Sequence, residues 1–237
     1  MVRASELAKP RKSAAARQAV PLGALEPSRL LQLIEAAETI FLAKGYHSAT
    51  MSDVAKAAGI SKKTVYQLIE SKADLFAALL AHHQAQFSFP EDKPEWTPQQ
   101  ALVNSLVCLA KFVLSSSQVA IVRLIMAEYT HSPDLGRLLH QRRITKAKTQ
   151  LESRLNSIAR KHGFELKNAR EMSAMLFGMA IGEFYMAVLV GYRAAPSKAA
   201  LEQRVGQAVE IFLAGCERQP TFTGCAAAAA DEHATRR

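Results

Sequence analysis

Three helix starts fall between Thr50 and Leu75, and a chain punctuated in this way can form little there except short helices packed closely together. Thr50 with Asp53, and Ser71 with Asp74, have the form of a capping box, in which the hydroxyl and the acid each satisfy a first-turn amide. Ser61 is an N-cap between them. Gly59 ends the first short helix, where a positive φ is cheap only for glycine. Val54, Ala58, Ile60, Val65 and Leu68 are apolar at intervals that bury one shared seam, and Ala55, four residues before Gly59, permits close helix approach. The pattern predicts two short helices joined by a tight turn, with a third following at once. That is a helix-turn-helix, whose second helix lies in the major groove of double-stranded DNA.

Upstream, Leu30, Ile34, Ala37 and Phe41 share one face of a helix over 28–44, stopped by Gly45. Phe41, Gly45-Tyr46, Thr50, Val54-Ala55, Ala58-Gly59-Ile60-Ser61, Thr64-Val65-Tyr66, Ser71-Lys72 and Leu75 then stand at fixed spacing. On these residues, 28–83 resembles the DNA-binding domain of the TetR (tetracycline-repressor) family. Leu68-Ile69 departs from the His-Phe common there and leaves the buried seam intact. The resemblance implies an all-α fold: an N-terminal three-helix helix-turn-helix domain, a fourth linking helix, and a C-terminal helical domain for ligand binding and dimerisation. It also implies a regulator, with repression as the default, rather than an enzyme.

The helix from Lys62 to about Ile69 is the expected reading element, with Ser61 at its start counted in the DNA-facing set. Lys62 and Lys63 are long donors suited to guanine O6/N7 or phosphate, and Gln67 suits an adenine edge. Thr64 suits a phosphate or a thymine methyl. The resemblance places the Tyr66 hydroxyl on the phosphate backbone. Thr50 and Lys72 lie at helix N-termini, where the dipole and free amides favour phosphate, and the resemblance carries backbone contacts onto both.

Charge alone does not locate this site. The chain has 237 residues and a formal net charge of +9, which favours an anionic partner. Residues 28–83, however, carry six basic against five acidic side chains. Residues 1–27 hold Arg3, Lys9, Arg11, Lys12 and Arg17 without an apolar run, which reads as a disordered basic arm rather than a secretory signal; a minor-groove arm is the sharper alternative. Residues 218–237 are Ala-rich and read as a disordered tail. Cys108, Cys216 and Cys225 have no metal-ligand spacing and read as reduced thiols of a cytoplasmic protein, with a redox-sensing pair as the alternative.

Residues 84–217 are expected to form the ligand-binding and dimerisation domain, with no catalytic signature, metal site or cofactor motif. Helices are predicted from Thr97-Pro98-Gln99-Gln100 to the Ser115-Ser116-Ser117 break, over about 118–129, from Ser132-Pro133 to near Gly163, from Asn168, and from Ser197. The basic run Arg137, Arg142, Arg143, Lys146 and Lys148 reads as a solvated face. Met172 to Tyr192 is apolar enough to raise a membrane-spanning reading, set aside because Glu183 lies near its centre among Gly178, Gly182 and Gly191. A helix apolar all round is instead buried by a second subunit. The resemblance pairs the last two large helices with their copies in a homodimer that reads a palindromic operator. It also implies a small-molecule effector pocket, for which Phe112, Met126, Tyr129, Met175, Met179 and Phe184 are candidate linings and Arg123 or Glu128 polar anchors. Such a lining suits an apolar or amphipathic ligand, and each residue could equally be ordinary core. Three rival readings are a non-specific DNA organiser, a ligand-binding protein that keeps the helix-turn-helix as scaffold, and a membrane protein.

Overall fold

Local capping sets most of the helix boundaries. A computed structural model describes residues 22–140 and 145–217, and among these every regular element is a helix. The first, α1 (Leu22–Lys44), starts upstream of the expected Ser28, so residues 22–27 of the predicted arm are helical. Pro27 lies inside it and has no amide hydrogen to donate, so the turn before it is held by one bond fewer. The rest of the arm and the tail 218–237 lie outside the described residues.

Gly45, at φ 80°, turns the chain out of α1. Then come α2 (Met51–Ala57), α3 (Lys62–Leu68) and α4 (Lys72–Ala85). Thr50 and Asp53 form the full reciprocal capping box, and Ser61 and Ser71 accept the amides of Thr64 and Asp74. Beyond a linker, Thr97 and Gln100 repeat the capping box at the start of α5 (Pro98–Val113), followed by α6 (Ser116–Ala127). The single long helix expected from Ser132-Pro133 appears as α7 (Asp134–Leu139) and α8 (Thr145–His162); residues 141–144 between them are outside the described set, as are the side chains of Arg142, Arg143, Lys146 and Lys148. Asn168 caps α9 (Ala169–Phe177), which runs through a π-helical turn, Gly178–Gly182, into α10 (Glu183–Leu189). The last helix is α11 (Lys198–Glu217).

Two apolar cores result. Leu33, Phe41, Val54, Val65, Leu75, Phe76 and Leu79 fill the N-terminal one, where the rings of Phe41, Tyr46 and Phe76 meet pairwise at 5.3–5.7 Å. Leu102, Leu106, Leu155, Ile158, Leu176, Ile181, Val205 and Val209 lie in the larger one. The expected division at 83/84 does not separate these cores. Ile121 and Ile125 of α6, with Leu135 of α7, complete the N-terminal core, while Val119 and Val122 of the same α6 sit in the larger one. One helix thus has a face in each.

The run Ala169–Leu189 is long and apolar enough to cross a membrane, with a mean hydropathy of 1.6. In the fold its Leu176, Ala180, Ile181, Phe184, Val188 and Leu189 pack into the larger core instead. Met175 and Met186 of the same run face outward.

Candidate nucleic-acid interface

The motif helices are held by short-range bonds, and those bonds decide which side chains remain available. In α3 only Val65 is fully buried; Lys62, Lys63, Tyr66 and Gln67 are exposed, and the Lys62 ammonium lies 5.9 Å from the centre of the Tyr66 ring. Thr64 is half-buried, and its hydroxyl lies 2.8 Å from that of Ser61, whose oxygen also accepts the Thr64 amide at 3.0 Å. Ser61 and Thr64 therefore stiffen the start of α3, leaving the Thr64 methyl group for an apolar contact.

Thr50 opens α2 through three bonds to Asp53. The Thr50 amide and hydroxyl donate to Asp53 Oδ2 at 3.0 and 2.7 Å, and the Asp53 amide donates to Thr50 Oγ1 at 3.1 Å. Lys44 reaches Asp53 Oδ1 at 2.7 Å from the end of α1. The Lys44 ammonium first, then the Thr50 hydroxyl and amide, hold the Asp53 carboxyl well below the usual carboxylate range.

Lys72 differs from the expectation. Its ammonium donates to the carbonyls of Tyr46, His47 and Ala49 at 2.9, 3.1 and 3.0 Å. An ammonium has three hydrogens, and these contacts employ all of them. The Lys72 side chain thus closes the loop between α1 and α2, and a phosphate at this place would meet the α4 N-terminus rather than the ammonium. No sequence rule pairs a lysine with carbonyls more than twenty residues upstream.

The proposed effector residues divide between the larger core, where Phe112, Met179 and Phe184 lie, and exposed positions. Met126, Tyr129 and Met175 are 52%, 67% and 59% exposed. Arg123 donates from Nε to the Leu189 carbonyl at 2.9 Å and from Nη2 to that of Val188 at 2.6 Å, so it closes the end of α10. Phe112 lies against Phe87 with ring centres 4.8 Å apart, Met179 is half-buried at the larger core, and Phe184 is within it. Glu128 accepts the His47 amide at 3.1 Å. Among the described residues two of the clefts matter here, and of the effector candidates only Tyr129 lines either. One, of about 450 Å³, is lined by Tyr129, Pro133, Gly136, Arg137 and His140. The other, of about 500 Å³, is lined by Phe89, Thr149, Gln150, Ser153, Arg154 and Ser157. Arg154 there forms a two-toothed ion pair with Asp92 and donates to the buried Ser105 hydroxyl at 2.9 Å. Sequence reasoning missed Phe89 and Arg154, because Asp92 and Arg154 are brought together only by tertiary packing.

Cys108 and Cys216 are unbridged, and Cys225 lies outside the described residues. Among the described residues no cluster of His, Cys, Asp and Glu is placed to hold a metal.

This geometry has counterparts in known proteins. Over 52 residues the chain is 44% identical to the transcriptional activator FasR of Mycolicibacterium smegmatis, 22% of this chain and 24% of that one. Over 124 residues it is 31% identical to the transcriptional regulator UidR of Escherichia coli, 51% of this chain and 61% of that one. The matched stretches therefore span a quarter to three-fifths of these relatives. Among solved structures, the flavonoid-responsive regulator FrrA superposes with a TM-score of 0.68 at 26% identity, covering 82% of this chain and 99% of that one. The family description "Bacterial regulatory proteins, tetR family" matches residues 33–79, and "AefR-like transcriptional repressor, C-terminal domain" matches 100–215. The first span holds the capped helix-turn-helix and the second holds α5 to nearly the end of α11, so both parts of the fold are accounted for, and the chain belongs to the TetR family of bacterial regulators.

Proposed function

We propose that the protein is a cytoplasmic transcriptional repressor that binds a palindromic operator as a homodimer and is released by a small apolar or amphipathic effector. The observation that carries this reading is the outer face of α3. Lys62, Lys63, Tyr66 and Gln67 project from a helix whose opposite side is anchored by fully buried Val65. Lys63 and Gln67 read base edges, while Thr50, Tyr66 and the α4 N-terminus settle on phosphates. One such head covers only a few base pairs, so useful affinity calls for a symmetric pair.

The second copy docks over the last helices, where Met175, Met186, Val190 and Ile211 are each left exposed. The effector sits in the groove beside α8, where the Phe89 ring and the Gln150, Ser153 and Ser157 side chains surround Arg154, already neutralised by Asp92. A neutral molecule with an aromatic body and a polar rim suits that lining. FrrA is named as flavonoid-responsive, which is the same ligand chemistry.

The test is selection from random duplex DNA, followed by footprinting of the enriched sequence and competition with random DNA at fixed salt. A protected palindrome that resists the competitor supports the reading. Uniform loss of binding to any competitor marks a non-specific DNA organiser, and no footprint at all marks a ligand-binding protein that keeps its helix-turn-helix as scaffold.

A further inference from the structure

We infer that Glu128 is a positioning residue for DNA recognition, fixing the angle at which the larger domain presents α2 and α3. The inference rests on the DNA-binding reading above. Its basis is one peptide group, between Tyr46 and His47. The carbonyl of this group accepts from Lys72 Nζ at 2.9 Å, and its N–H donates to Glu128 Oε2 at 3.1 Å. A single amide therefore lies between a cation at its negative end and an anion at its positive end. Each charge polarises the amide toward the other, so the two bonds reinforce one another. Lys72 belongs to α4 of the head, whereas Glu128 is the residue that ends α6.

The carboxylate has a firm base and a fitted seat. The Glu128 carbonyl accepts the amides of His131 and Ser132 at 3.0 and 2.8 Å, which locks the turn after α6. Across from it is Gly45 at φ 80°, where any Cβ would lie 2.5 Å from Glu128 Oε1. The missing side chain makes room for the carboxylate. Three residues further along the loop from His47, Thr50 caps α2, so the pinned peptide leads directly into the motif.

The helix that carries Glu128 is anchored in the larger domain. Arg123 ties it to the end of α10 and Val119 and Val122 pack into the larger core, while Gln118 Nε2, 3.1 Å from Nδ1 of buried His83, ties it to α4 of the head. A shift of α6 would therefore pull the His47 amide, and with it the head. In a symmetric pair, head angle sets the distance between the two reading helices.

The experiment compares full-length wild type, Glu128→Ala and Glu128→Gln. The glutamine carboxamide oxygen still accepts from the His47 amide, whereas alanine cannot. Affinity is measured on the selected palindrome, on one half-site, and on palindromes with the half-sites moved apart or together. Amide hydrogen exchange over 45–57 is followed without DNA. The expected result for Glu128→Ala is roughly tenfold weaker palindrome binding, within the ordinary range of coupling between sites, with half-site binding little changed. Its tolerance of altered spacing should broaden, exchange at the loop and α2 should quicken, and Glu128→Gln should restore both. A merely structural role would lower all DNA affinities alike and leave the spacing preference sharp. The inference is overturned if Glu128→Ala keeps wild-type spacing preference and loop protection, or if Glu128→Gln is as impaired as the alanine variant. If wild type selects no sequence, the DNA-binding reading fails and this inference with it, whereas the exchange data separately report whether Glu128 holds the loop.

Discussion

Lys72 and Tyr46 meet twice: the Lys72 ammonium lies 4.6 Å from the centre of the Tyr46 ring and takes the Tyr46 carbonyl at 2.9 Å. Burial, followed by the charges of Asp134 and Asp74, pushes the Tyr46 phenol above its ordinary pKa, so the ring stays neutral beneath the cation. Replacing Lys72 with Met leaves three carbonyls without their donor. The expected loss is about 2 kcal/mol, the scale of hydrogen bonds to a charged group. Urea unfolding measures it. DNA affinity should fall by the same factor for operator and random sequence. Lys72→Arg should not restore stability, because a planar fork cannot converge on three carbonyls as an ammonium does.

Asp53 makes the head sensitive to strong acid. Its folded-state pKa is depressed by Lys44 and Thr50, so its contribution to stability is complete above the unfolded carboxylate value of about 3.9 and is lost as pH falls through the folded value. Asp53→Asn should therefore be less stable than wild type by a constant margin at neutral pH, with the gap narrowing only in strong acid. Thermal melts of both proteins across the acid range test the direction. Thr50→Ala, which removes the other half of the cap, should cost about 1 kcal/mol at neutral pH.

The α3 side chains should divide into two classes. Lys63→Ala and Gln67→Ala should each alter the preferred base at one position per half-site, by about 1–3 kcal/mol. Tyr66→Phe should weaken all sequences nearly alike. Binding to a panel of single-base operator variants separates the classes, and the reverse assignment would sink the proposed docking.

The exposed apolar residues of the last helices can be tested without DNA. Met175→Glu and Ile211→Glu place charge where a second subunit would exclude water. Sedimentation should then show a single subunit with an unchanged helical spectrum, and palindrome affinity should drop to that of one head on one half-site. A wild-type protein that sediments as one subunit would remove the basis for a palindrome.

What could be read from the sequence depended on the range of the interaction. The capping pairs Thr50 with Asp53, Thr97 with Gln100 and Asn168 with Glu171 span one helical turn, so each appears in the chain as a short pattern and again in the fold as a bond. Gly45 announced the end of α1 in the same way. Lys72 with Tyr46, Glu128 with His47 and Arg154 with Asp92 are joined only after the helices pack, and no local spacing encodes them. The effector candidates scattered for a related reason. Apolar residues at helical spacing mark a buried stripe, but the stripe does not say whether it faces a core, a cleft or a second chain. Met175 and Met179, four residues apart, ended on different surroundings, the first exposed and the second at the larger core.

The insertion of Ile121, Ile125 and Leu135 into the N-terminal core bears on how this protein could be taken apart. A fragment cut after α4 would open a solvent-filled hollow where three aliphatic chains belong, and it should collapse or aggregate rather than act as a portable DNA reader. A swap that grafts this specificity onto a foreign sensor would have to bring the middle of the chain along with its beginning.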